Sequence, residues 1–183
     1  MMPFDAAPSA PAAEFDAFLA SVERRAFRMA ELALGHREDA LDAVQDAMAK
    51  LVGYRDRPAA EWTPLFWSIL RSQVTDRHRR NTVRRKVMAV LGRREDEPGD
   101  PLDMLPDPSE DPARRHADAA AWAALGKALR QLPRRQREAY LLRELQGLDV
   151  AETAAAMGCS DGSVKTHLSR AMAALRTHLE DWR

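Results

Sequence analysis

The sequence predicts an all-α protein of two small helical domains joined by a flexible acidic linker. Three observations point there. Apolar residues recur at helical spacing on both sides of a central gap, and the alternation expected of half-buried strands is absent. The gap itself, residues 92–113 (GRREDEPGDPLDMLPDPSEDPA), holds five prolines, two glycines and eight acidic residues against two basic ones. With so few large apolar side chains it cannot bury enough surface to offset its ordering entropy. The domains therefore fall at 14–91 and 114–183, behind a disordered tail at 1–13.

Each element has its own signal. Phe15, Phe18, Val22, Ala26, Met29 and Ala33 form the stripe of a first helix, and Leu41, Val44, Met48 and Leu51 that of a second. Thr63 followed by Pro64 suits the cap and first turn of a third through WTPLFWSILRSQVTDRHRR, where proline's missing N–H costs nothing. Beyond the linker, AAWAALGKALRQL reads as a helix ended by Pro133, and RRQREAYLLREL as another ended near Gly147.

The last two elements form a motif. Asp149 with Glu152 gives a capping-box start to the helix VAETAAAM. Gly158 ends it, free to take the left-handed conformation a sharp turn requires, and Ser160 or Asp161 caps the next helix. In that helix Val164, Leu168, Met172, Leu175 and Leu179 face inward, which turns Ser163, Lys165, Thr166, His167, Ser169 and Arg170 outward. This is a helix-turn-helix pattern, whose second helix enters the major groove of DNA. Lys165 and Arg170 suit phosphates; the hydroxyls and His167 suit base edges or backbone oxygens.

Composition narrows the function classes. The formal net charge of zero conceals two mildly basic blocks around an acidic one. Residues 14–91 carry 14 Lys+Arg against 11 Asp+Glu, and residues 114–183 carry 12 against 8. Cys159 is the single cysteine, so an internal disulfide is excluded and a cysteine zinc site lacks partners. The absence of a membrane-length apolar run or a secretory leader leads to the expectation of a cytoplasmic protein with no membrane insertion. Neither a glycine-rich phosphate loop, a His-Glu-x-x-His pair nor a nucleophile elbow occurs, so no enzyme, cofactor or metal site is expected.

The stretch LPRRQREAYLLRELQGLDVAETAAAMGCSDGSVKTHLSRAMAALR resembles region four of the bacterial sigma-70 family in its extracytoplasmic-function type. The pattern is carried by Leu132-Pro133, Arg135-Gln136-Arg137, Arg143-Glu144, Gly147-Leu148, Gly158 and Gly162-Ser163-Val164-Lys165. Thr153 and Cys159 stand where the family usually has aliphatic residues, which predicts looser packing there.

REDALDAVQDAMAKL resembles region two of the same family. Asp42, Gln45 and Asp46 fall at i, i+3 and i+4 on one side of a helix. The resemblance implies that this side, with Asp39, binds the core polymerase. The helix that follows joins aromatics to cations: from Arg71 to Lys86 there are seven Lys+Arg and one Asp, with Trp62, Phe66 and Trp67 just upstream. Cations that hold phosphates beside surfaces that accept unstacked bases suit promoter opening. Trp62, Arg71, Arg77, Arg79, Arg80, Arg84 and Arg85 are the candidates for the minus-ten region, while Phe66 and above all Trp67 also fit core packing. Ser72 replaces a common asparagine.

The resemblance thus implies a sigma factor with RNA polymerase core and promoter DNA as partners and an anti-sigma factor as an optional third. Tethering would let two domains bind the minus-thirty-five and minus-ten elements together. The linker serves as a solvated spacer or as an acidic mimic of nucleic acid in the polymerase cleft. The rival reading is a stand-alone helix-turn-helix transcription regulator.

Overall fold

The computed structural model describes residues 10–90 and 112–180, with side chains placed over 12–83 and 119–180. The described residues are helical with no strand. The acidic linker lies outside them apart from Pro112 and Ala113, which open a helix.

Helix α1 (Ala10–Leu34) begins inside the segment expected to be a tail, and the predicted stripe lies inward, with Phe18 half-buried and the other five buried. Gly35 ends it at φ +70°, and its N–H donates to the Glu31 carbonyl at 2.7 Å. Helix α2 (Arg37–Val52) buries Val44 and Leu51 of its predicted stripe and half-buries Met48, but turns Leu41 outward. The buried set is Ala40, Ala43, Val44, Ala47 and Leu51, while Leu41 is 41% exposed. Three alanines let α2 lie close to α1 and α3, and that close approach fixes the inward arc about one residue away from Leu41.

Helix α3 (Ala59–Val90) starts five residues before Pro64, so Thr63 and Pro64 are inside the helix and do not begin it. Proline removes one rung near the helix start, and the turn around it is held by burial instead. Trp62 packs edge-on against Phe15 with ring centroids 5.0 Å apart, and Phe66 meets Phe18 and Trp67 edge to face as well. Each such ring is worth about 1.5–3 kcal/mol when withdrawn from water.

Beyond the linker come α4 (Pro112–Gln131), α5 (Arg134–Tyr140) running into a π-helical turn (Leu141–Leu145), α6 (Val150–Met157) and α7 (Asp161–Glu180). The two groups of helices are packed together: α4 lies on α1 and α6 lies on α3. No helix among the described residues is long and apolar enough to cross a membrane.

Candidate nucleic-acid interface

The turn between α6 and α7 is built as its residues require. The Asp149 carboxylate accepts from the Glu152 N–H at 2.7 Å, and the Glu152 carboxylate accepts from the Asp149 N–H at 2.8 Å. Gly158 sits at φ +63°, ψ +48°. Ser160 takes the capping role, its hydroxyl 2.9 Å from that of Ser163 and accepting from the Ser163 N–H at 3.3 Å. Thr153 does not loosen the packing: it is fully buried, and its hydroxyl donates to the Asp149 carbonyl at 2.7 Å.

Val164, Ala171 and Leu175 bury the inner face of α7, with Leu168, Met172 and Leu179 half-buried beside them. Lys165, Thr166, Ser169 and Arg170 are exposed on the outer face, while Ser163 and His167 are half-buried. The Thr166 hydroxyl donates to the Gly162 carbonyl at 2.9 Å. The result is a rigid capped helix that carries two cations into solvent.

The α3 candidates separate. Arg79 and Arg80 are exposed. The side chains of Arg84 and Arg85 lie outside the described residues. Trp62 is 4% exposed within the aromatic core, so in this fold it offers no face to a base. Arg77 donates to Asp46 at 2.6 Å and to Gln73 at 3.2 Å. Arg71 donates from Nε to the Ala156 carbonyl at 3.1 Å and pairs with Glu138 at 3.5 Å. Both guanidinium groups are thus engaged inside the protein rather than turned to solvent.

The carboxylates of α2 divide in the same way. Asp46 receives Arg77, and Asp39 accepts from the Asn81 amide at 2.7 Å, so these two fasten α2 to α3. Asp42 and Gln45 are exposed and have no such partner among the described residues. Leu41 and Val52 lie uncovered on the same helix.

The contact between the two groups of helices was not anticipated. Arg25 on α1 donates to the Gln146 side chain at 3.2 Å and to its backbone carbonyl, and the Gln146 amide returns a bond to the Arg25 carbonyl at 3.3 Å. Arg130 on α4 reaches the Leu32 carbonyl at 3.4 Å. Glu138, only 6% exposed, stands 3.2 Å from Arg134 and 3.5 Å from Arg71 and Arg135. The one signal in the sequence was Arg135-Gln136-Arg137-Glu138, a lone carboxylate among cations, which there reads only as part of a motif.

Comparison with known proteins identifies relatives of the chain. A family model described as sigma-70, region 4 matches residues 122–175. The chain is 33% identical over 162 residues to the ECF RNA polymerase sigma factor SigM of Mycobacterium tuberculosis, covering 88% of this chain and 74% of that protein. It is 43% identical over 81 residues to the RNA polymerase sigma-E factor of Streptomyces antibioticus, a match spanning 44% of this chain and less than half, 43%, of that relative. Among solved structures, the sigma factor RpoE of Bartonella quintana, in complex with the anti-sigma factor NepR, superposes with a TM-score of 0.67 at 25% identity over 93% of this chain and 99% of that one. CnrH, in complex with the cytosolic domain of CnrY, shares the fold with a TM-score of 0.63 at 20% identity over 91% of this chain and 88% of that one. With identity to SigM extending through most of both chains and its helix-turn-helix inside the matched region, the chain belongs to the extracytoplasmic-function sigma factors of the sigma-70 family.

Proposed function

We propose that the chain is a dissociable specificity subunit that binds core RNA polymerase and directs initiation by reading minus-thirty-five and minus-ten elements and assisting strand separation. The observation that supports this most is the capped α6–α7 turn, which holds Lys165 and Arg170 in solvent on a helix free to enter a major groove. In this reading residues 14–91 act as region two, 114–183 as region four and 92–113 as the tether. Asp42 and Gln45 meet the polymerase, and Arg79 and Arg80 the minus-ten DNA. The work done is binding and positioning, with no bond made or broken by the chain.

The packed arrangement adds a step. Arg71 is held by the Ala156 carbonyl and Glu138, so freeing that side chain for the minus-ten DNA requires α3 and α6 to part. One solved relative named above, RpoE of Bartonella quintana, is in complex with an anti-sigma factor, and a partner of that kind, one that favours the packed form, fits this chain.

Run-off transcription with purified bacterial core polymerase on genomic promoter fragments tests the proposal. Discrete start sites that depend on the chain are expected. Tight sequence-specific binding by the isolated chain, with no effect on initiation, would establish the stand-alone regulator instead.

A further inference from the structure

Between α1, α3 and α5 lies a cavity of about 330 Å³. Four arginines line it, Arg71 and Arg79 from α3 and Arg134 and Arg137 from α5, with a single acidic residue, Glu138. Four positive charges less one negative leave the lining at +3, counting the neighbouring His78 as neutral. Glu138 is already shared among Arg71, Arg134 and Arg135.

Arg137 is the most deeply buried of the four. It is 5% exposed, and the hydrogen bond it makes is a long one, 3.4 Å to the Arg130 carbonyl. A guanidinium carries five N–H donors and does not shed its charge in a protein, so it can bond further acceptors beside the Arg130 carbonyl. Burial pushes its pKa down, with the neighbouring Arg130 and Arg134 adding to the push and Glu138 opposing it. A buried cation of this kind is costly until an anion meets it.

We propose that this cavity binds a small, multiply charged phosphate-bearing anion, either free pyrophosphate or the polyphosphate end of a nucleotide. Planar guanidinium forks match phosphate oxygens two at a time, and arginines from two elements line this space. Duplex DNA is the wrong shape, because it cannot enter a volume of this size to reach a side chain as covered as Arg137. Met29 on α1, Arg71 and Arg79 on α3, and Arg134 and Arg137 on α5 line the same space, so an occupant touches both groups of helices. It therefore binds the packed arrangement better than a parted one and holds it by mass action.

Isothermal titration of the full chain with sodium pyrophosphate, at constant ionic strength set with chloride, tests this. One saturable site is expected, together with a rise in the thermal midpoint of roughly 5–10 °C when the anion exceeds its dissociation constant a hundredfold. Arg137→Gln is expected to weaken binding about tenfold or more, as removal of one or two charge-assisted hydrogen bonds would. Arg79→Ala, at an exposed position that the fold does not need, should weaken it about threefold, and it carries the test if the buried variant fails to fold. A nucleoside triphosphate bound more tightly than pyrophosphate identifies a nucleotide, and equal binding identifies the free anion. The proposal is overturned if no saturable binding occurs, if several ions bind with neither variant altering them, or if a short DNA duplex displaces pyrophosphate from the wild-type chain.

Discussion

Asp46 and Asp42 are four residues apart on one helix, yet they have different duties. Asp46 holds Arg77, a side chain only 12% exposed, while Asp42 faces solvent. Replacing Asp42 and Gln45 by alanine should reduce association with core polymerase and leave thermal unfolding within about 0.5 kcal/mol of wild type, as at other exposed positions. Asp46→Ala should add a stability decrease on the order of 1 kcal/mol, because Arg77 is deprived of its charged partner. Denaturant melts beside a core-binding assay separate the two. On α7, alanine at Lys165 and Arg170 should weaken upstream promoter recognition by roughly 1 kcal/mol each. It should also lower the slope of log affinity against log salt by about one unit for each phosphate no longer neutralised. The check is binding of the assembled polymerase to promoter fragments at two or more salt concentrations. At this scale the sequence was legible where exposure follows from helical spacing, as on α7. It was misleading where a charge finds an internal partner, because nothing in the order of residues places Arg77 beside Asp46 or Arg71 beside Ala156.

Among elements, the α6–α7 turn was the most readable, since capping box, left-handed glycine and serine cap are local devices whose partners lie within four residues. Gly158 makes a clean test of one of them. A methyl group built there meets nothing within 4 Å, so Gly158→Ala should cost only the left-handed backbone penalty, about 1–2 kcal/mol in chemical denaturation. A larger decrease would mean the turn is crowded. Helices α2 and α3 were read less well. Periodicity weighs leucine above alanine, but α2 turns Ala40, Ala43 and Ala47 inward and leaves Leu41 outside. Likewise Pro64 looked like a helix start, whereas the aromatic packing of Trp62 extends α3 upstream of it.

For the molecule as a whole, the all-helical architecture was legible and the packing of its two parts was not. That packing rests on long-range pairs such as Arg25 with Gln146, separated by 121 positions and leaving no periodic trace. Arg25→Ala should loosen it without unfolding either group of helices. Small-angle scattering should then record a larger radius of gyration, while the helical signal in circular dichroism is retained. Gln146 owes its place to the π-helical turn before it, where its N–H donates to the Leu141 carbonyl five residues back instead of four. A π turn is in effect one surplus residue in an α-helix. Excising a single amino acid between Leu141 and Leu145 would restore ordinary winding and swing Gln146 about a quarter-turn away from Arg25. One codon's deletion would thus undo one clasp between the two groups of helices without touching the others.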